Sequence, residues 1–99
     1  MGMVEQELKE AIIEYVRKKG GPFSGWYVGV SKKPDKSIFK DHKVPKKGSP
    51  WFYKFASDSM ESARVYEQLL MMGFDGDKKS SDPGAFGVYV YRKSKETKE

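Results

Sequence analysis

The chain predicts an α+β domain: a small three-stranded, mainly antiparallel sheet flanked by three helices in the order α-β-α-β-α-β. Stretches with apolar residues at helical spacing alternate with stretches of aromatic and β-branched residues, which suit strands. Ninety-nine residues suffice for one modest core and not for two. The hydrophobic fraction is only 37%, yet 14% of the residues are aromatic, so a few large side chains can supply much of the buried area. Residues 1–92 therefore read as a single domain and 93–99 as a charged, frayed tail.

Val4, Leu8, Ala11, Ile12 and Tyr15 fall at helical spacing, with Glu5 and Glu7 early and Arg17, Lys18 and Lys19 late, as the helix dipole prefers. Gly20, Gly21 and Pro22 end that helix. In 23–31, Trp26, Val28 and Val30 alternate with Tyr27 and Gly29, which makes the first strand. Gly29 removes a side chain from one strand face, so either a close approach or a bulge is expected there.

Pro34 marks the first turn of a short helix over 34–42, with Ile38 and Phe39 inward and Lys36 and Lys40 outward. Its N-terminus, beside Lys32 and Lys33, suggests an anion site. Residues 43–50, with Pro45, Gly48 and Pro50, hold too many breakers to be regular. The second strand, 51–56, is aromatic on both faces, which predicts a central or covered position. Asp58 followed by Glu61 resembles a capping box and opens a third helix to about Met72, with Ala63, Tyr66, Leu70 and, beside them, Leu69 on its buried stripe. Residues 74–85 read as a loop or flap, since Asp75, Asp77 and Asp82 lack the spacing and closing glutamate of a calcium loop. Phe86, Val88 and Val90 alternate with Tyr89 and Tyr91 in the third strand. The expected core draws on Leu8, Ile12, Tyr15, Val28, Val30, Phe39, Phe55, Tyr66, Leu70 and Val88.

Nineteen basic residues against fourteen acidic ones give a net charge of +5. The excess is concentrated in 31–54, where Lys32, Lys33, Lys36, Lys40, Lys43, Lys46, Lys47 and Lys54 face only Asp35 and Asp41. Such a segment fits a polyanionic partner, because neutralising phosphates releases counterions. It also fits a solvated surface that keeps the protein soluble. All eight are lysine, so a nucleic-acid partner would be bound with little sequence preference. No stretch is apolar and long enough for a membrane span, and the first twenty residues are too charged for a signal peptide, so a cytoplasmic protein is expected. Without cysteine, thiolate metal sites and cysteine catalysis are excluded.

Tyr27-Val28-Gly29, a short helix ending in His42, an aromatic strand, and a helix with Ala63, Glu67 and Leu70 together resemble part of a GIY-YIG nuclease domain. The likeness covers roughly 25–72. It implies a small antiparallel sheet with two strand tyrosines, a helix arginine and a glutamate that holds one divalent metal ion. Tyr27 matches the tyrosine of the second strand motif, and Glu67 matches the metal-binding glutamate, with magnesium as its cofactor if the domain is active. The arginine should fall near Ser37, where the chain has Lys36, Ser37 and Ile38, so the resemblance leans away from an enzyme. Gly87-Val88-Tyr89 fits the missing first motif but stands at the wrong end of the chain. A permuted pairing that sets the last strand beside 26–30 would bring Tyr89 to Tyr27.

The expected function is nucleic-acid binding through Lys32, Lys33, Lys36, Lys40, Lys46 and Lys47, with Trp51 or Tyr27 stacking on unpaired bases. The alternatives are an active metal-dependent phosphodiesterase using Tyr27, Tyr89 and Glu67, and a protein-interaction module without nucleic acid. Plainer roles stand beside these: Tyr27 and Tyr89 as half-buried sheet aromatics, Glu67 as an exposed helix acid, and His42 as a polar residue at a helix C-terminus.

Overall fold

A computed structural model of the protein describes residues 4–20, 22–44, 50–76, 86–94 and 97, the side chain of Asp41 excepted. Helix α1 (Glu5–Lys19) leads through a 3₁₀ turn (Phe23–Gly25) into strand β1 (Trp26–Ser31). A short helical turn, α2 (Pro34–Lys36), runs on into one π-helical turn (Ser37–Asp41). Strand β2 (Trp51–Phe55), helix α3 (Ser59–Met71), the two-residue strand β3 (Asp75–Gly76) and strand β4 (Gly87–Arg92) follow.

The α+β class holds, but the sheet is four-stranded and mixed, in the order β2-β4-β1-β3. β1 and β2 both pair antiparallel with β4, whereas β3 pairs parallel with β1. The added strand lies where the sequence reads as a loop, because two residues are too few for alternation to show. The aromatic strand is also not central: β2 is an outer strand. Its two aromatic faces have separate uses. Phe52 stacks on Tyr15 of α1, with ring centroids 4.7 Å apart, while Trp51, Tyr53 and Phe55 lie on the opposite side.

Leu8, Ile12 and Val16 are fully buried along one stripe of α1, whereas of the other residues read as its apolar side Val4 is 47% exposed and Ala11 and Tyr15 are half-buried. The helix ends at Gly20, whose φ of 89° suits glycine and whose N–H bonds the Val16 carbonyl. From β4, the Arg92 guanidinium donates at 2.6 Å to the carbonyls of both Lys19 and Gly20, a cation on the negative end of the helix. At the other end, the Glu61 carboxylate accepts from the Glu5 N–H at 2.7 Å, while Asp58 accepts from the Glu61 N–H at 2.7 Å. Glu61, in the first turn of α3, thus caps the start of α1.

The buried stripe of α3 is Ser62, Val65 and Leu69, so of the expected positions Leu69 is buried while Ala63, Tyr66 and Leu70 are half-buried. The unforeseen β3 is the reason. Tyr66 and Leu70 lean over it and are half-buried, and a Cβ on Gly76 would come within 2.7 Å of Leu70. Of the other expected core residues, Leu8, Ile12, Val28 and Val88 are buried, while Tyr15, Val30 and Phe39 are half-buried. Phe55 is 48% exposed, a consequence of its place on an outer strand. Trp26, Phe74 and Val90 complete the core under α1 and α3.

Among the described residues after Arg92, the Lys93 N–H bonds the Gly25 carbonyl, the Lys93 ammonium meets Asp75 at 3.0 Å, and Thr97 is buried. Among the described residues, no helix is long and apolar enough to cross a membrane.

Candidate functional site

Alternation along the strands sets Tyr27, Gly29 and Ser31 of β1 and Gly87, Tyr89 and Tyr91 of β4 on the sheet face turned away from α1 and α3. The two strands pair so that Tyr27 faces Tyr91, Gly29 faces Tyr89 and Ser31 faces Gly87. Both glycines make room for rings. A Cβ on Gly29 would lie 2.3 Å from the Tyr89 ring and hydroxyl, and one on Gly87 would lie 2.7 Å from Pro34. The close approach expected at Gly29 is made by Tyr89.

Over these rings sits His42, delivered by the π turn, whose closing bond runs from the His42 N–H to the Ser37 carbonyl. Its Nε2 lies 2.9 Å from the Tyr89 hydroxyl, and its Nδ1 lies 3.0 Å from the Tyr91 hydroxyl. The imidazole also packs on Tyr27, at 4.9 Å between centroids, and Tyr27 stacks on Tyr91 at 5.3 Å. In a neutral imidazole one nitrogen donates and the other accepts, so the tautomer decides which tyrosine gives its hydrogen. In the cation both nitrogens donate and both hydroxyls accept. The ring and both hydroxyls thus form one hydrogen-bonded chain, with the imidazole able to give or take a single proton at either nitrogen.

Tyr27 and Tyr89 are thus brought together, and His42 and Tyr91 join them although neither was a candidate. The signal for Tyr91 is its two-residue spacing from Tyr89, which places both on one face. Tyr27 is only 5% exposed, so it offers no surface for a base to stack on. Glu67 does not join the cluster. It stands two positions from buried Val65 and two from buried Leu69, and at about 100° per residue it points away from the sheet. Its helix, moreover, covers the opposite face. Among the described residues, no three His, Asp or Glu side chains gather as a metal site.

Lys32, Lys33, Lys36 and Lys40 are exposed on the segment that crosses the tyrosine face. Pro34 anchors that segment over Gly87, and Phe39 anchors it edge-on against half-buried Trp51, at 4.8 Å. Lys46 and Lys47 lie outside the described residues. Lys54 is separated from the group: its ammonium lies 5.8 Å from the Phe52 ring, on the helix side of the sheet. At the start of the short helix, where an anion site is expected, α2 is only three residues long; Lys33 N–H is taken by the Ser31 hydroxyl and Ser37 N–H by the Lys33 carbonyl. Compared with protein-family profiles, curated proteins and solved structures, the chain finds no match.

Proposed function

We propose that the protein is a nucleic-acid-binding domain, a catalytically degenerate relative of the GIY-YIG scaffold, that meets phosphates with Lys32, Lys33, Lys36 and Lys40. The observation that carries this reading is the placement of four exposed lysines on one segment pinned across the tyrosine face. The pairing of β1 with β4, which sets Tyr89 across Gly29, supports the permuted likeness. The missing helix arginine and the outward position of Glu67 support loss of the metal-dependent step. Binding of a labelled oligonucleotide, followed against salt, tests the proposal. Each phosphate contact adds roughly 0.7–0.9 to the log–log slope, so several contacts give a steep fall that a variant with the four lysines changed to glutamine flattens. An affinity indifferent to salt would defeat the reading.

A second reading, a phosphodiesterase, is favoured by the imidazole held between two tyrosine hydroxyls, an arrangement suited to proton transfer. Its magnesium ion would need ligands other than Glu67 alone. Labelled DNA and RNA incubated with magnesium or manganese decide it: cleavage lost in His42→Ala supports the reading, and no cleavage by the unaltered protein removes it.

A further inference from the structure

We infer that the aromatic row on β2 is a stacking platform for unpaired nucleotides, so that the polyanion bound is a single strand rather than a duplex. This rests on the nucleic-acid reading above and names its substrate class. Trp51, Tyr53 and Phe55 occupy one face of an outer strand, and their exposure increases along the row, from half-buried Trp51 and Tyr53 to Phe55 at 48%. The Trp51 and Tyr53 rings are within 14° of parallel, with centroids 6.2 Å apart, and Phe55 stands edge-on to Tyr53, at 6.0 Å and 80°.

That spacing follows from the strand, where same-face residues recur about every 6.6 Å. It is close to twice the roughly 3.4 Å rise between stacked bases. A flexible strand can spread its bases to this interval and set them on successive rings, since every base has a π-face. A duplex cannot, because its bases are already stacked and paired.

The charge beside the row selects the occupant. The segment bearing Lys36 and Lys40 runs from Pro34, over the Gly87 that pairs with Phe55, to Phe39, against Trp51. It therefore follows the row from one end to the other, with ammonium groups in solvent. Aromatic surface bordered by cations matches a chain of alternating bases and phosphates better than an apolar peptide or a second copy of this cationic domain.

The experiment compares a fluorescein-labelled oligothymidylate with its duplex on oligodeoxyadenylate at equal salt. The proteins are the unaltered chain, Phe55→Ala, Phe55→Trp and the double variant Lys36→Gln/Lys40→Gln. Phe55 is exposed enough to be changed without loss of fold, which circular dichroism verifies. The single strand should bind more tightly than the duplex. Phe55→Ala should weaken single-strand binding about tenfold with the salt slope unchanged, Phe55→Trp should retain it, and the lysine variant should lower the slope. Equal binding of both forms, unaffected by Phe55→Ala but reduced by the lysine variant, would overturn the stacking inference and leave the nucleic-acid reading standing. If neither form binds even at low salt, both fall. Self-association abolished by Phe55→Ala would then assign the row to a second copy of the chain.

Discussion

On the helix side of the sheet, Val28, Val88 and Val90 pack with Leu8, Ile12, Val16, Val65 and Leu69, all fully buried. On the other side, the intervening residues of the same strands, Tyr27, Tyr89 and Tyr91, lie beneath the segment that ends in His42. The first face is held by apolar burial, which is non-directional and tolerates repacking at constant volume. The second buries hydroxyls, each of which costs stability unless a partner stands at the right distance and angle. Apolar burial contributes on both faces, with Ile38 and Val44 buried on the second, but the first face relies on it chiefly. The other fixes polar groups in one arrangement, which is what binding or proton transfer requires.

The largest expected effect tests the helix side. Leu69→Ala removes a fully buried side chain between α3 and the sheet and should cost about 2–5 kcal/mol in thermal or urea unfolding. A cost within error would mean that the helices do not carry the core.

Gly29→Ala tests the other side. Its methyl group would meet the Tyr89 ring 2.3 Å away, so the ring must move and its bond to His42 with it. A destabilisation of about 1–3 kcal/mol is expected, together with shifted NMR signals of the His42 ring. Gly25→Ala is the control, since the nearest heavy atom to its new methyl would be 3.9 Å away. Equal effects of the two substitutions would remove the tyrosine and histidine cluster from the account.

Arg92 joins the end of β4 to the end of α1, bonding two helix carbonyls with its guanidinium 5.3 Å from the Trp26 ring. Arg92→Gln should cost about 1 kcal/mol, the worth of a cation at a helix C-terminus. Amide exchange should speed up first in the last turn of α1, and an unchanged pattern would show that the helix end is held by Gly20 alone.

How far each face was legible from sequence follows from the range of its interactions. Leu8 and Ile12 of the α1 stripe and the alternation of Trp26 and Val28 with Tyr27 are local patterns that could be read directly, whereas Val16 is absent from the expected stripe and Gly29 leaves a bulge as open as a close approach. The partners of His42 lie 47 and 49 residues away, and no local spacing marks them. The outer position of β2 depends on which strand claims β4, and a two-residue strand such as β3 has no period to find. Lys54 is different: it alternates with Tyr53 and Phe55, so strand geometry alone puts it on the Phe52 side. Counting charge along the chain obscured that signal.

Tyr15 gives the smallest effect at neutral pH and the most selective one. It lies on the helix side, edge-on to Trp26 and stacked on Phe52. Burial raises its pKa above 10.0, while a hydrogen bond with the Trp51 backbone and the charge of Arg92 partly counter the rise. A group with a raised pKa in the folded state holds its proton longer there than in the unfolded chain. The stability it contributes is complete below the unfolded value and is lost as pH climbs through the folded one. Tyr15→Phe should therefore cost about 1 kcal/mol or less near pH 7, for the lost hydrogen bond. Above pH 10 it should decline less steeply than the unaltered protein, so that the two stability curves converge. Other tyrosines titrate in the same range, but they do so in both proteins, and the difference between the curves isolates Tyr15. Parallel declines would mean that its hydroxyl is as well solvated as in the unfolded chain, and that the contact of α1 with Trp51 and Phe52 is looser than the stacked rings imply.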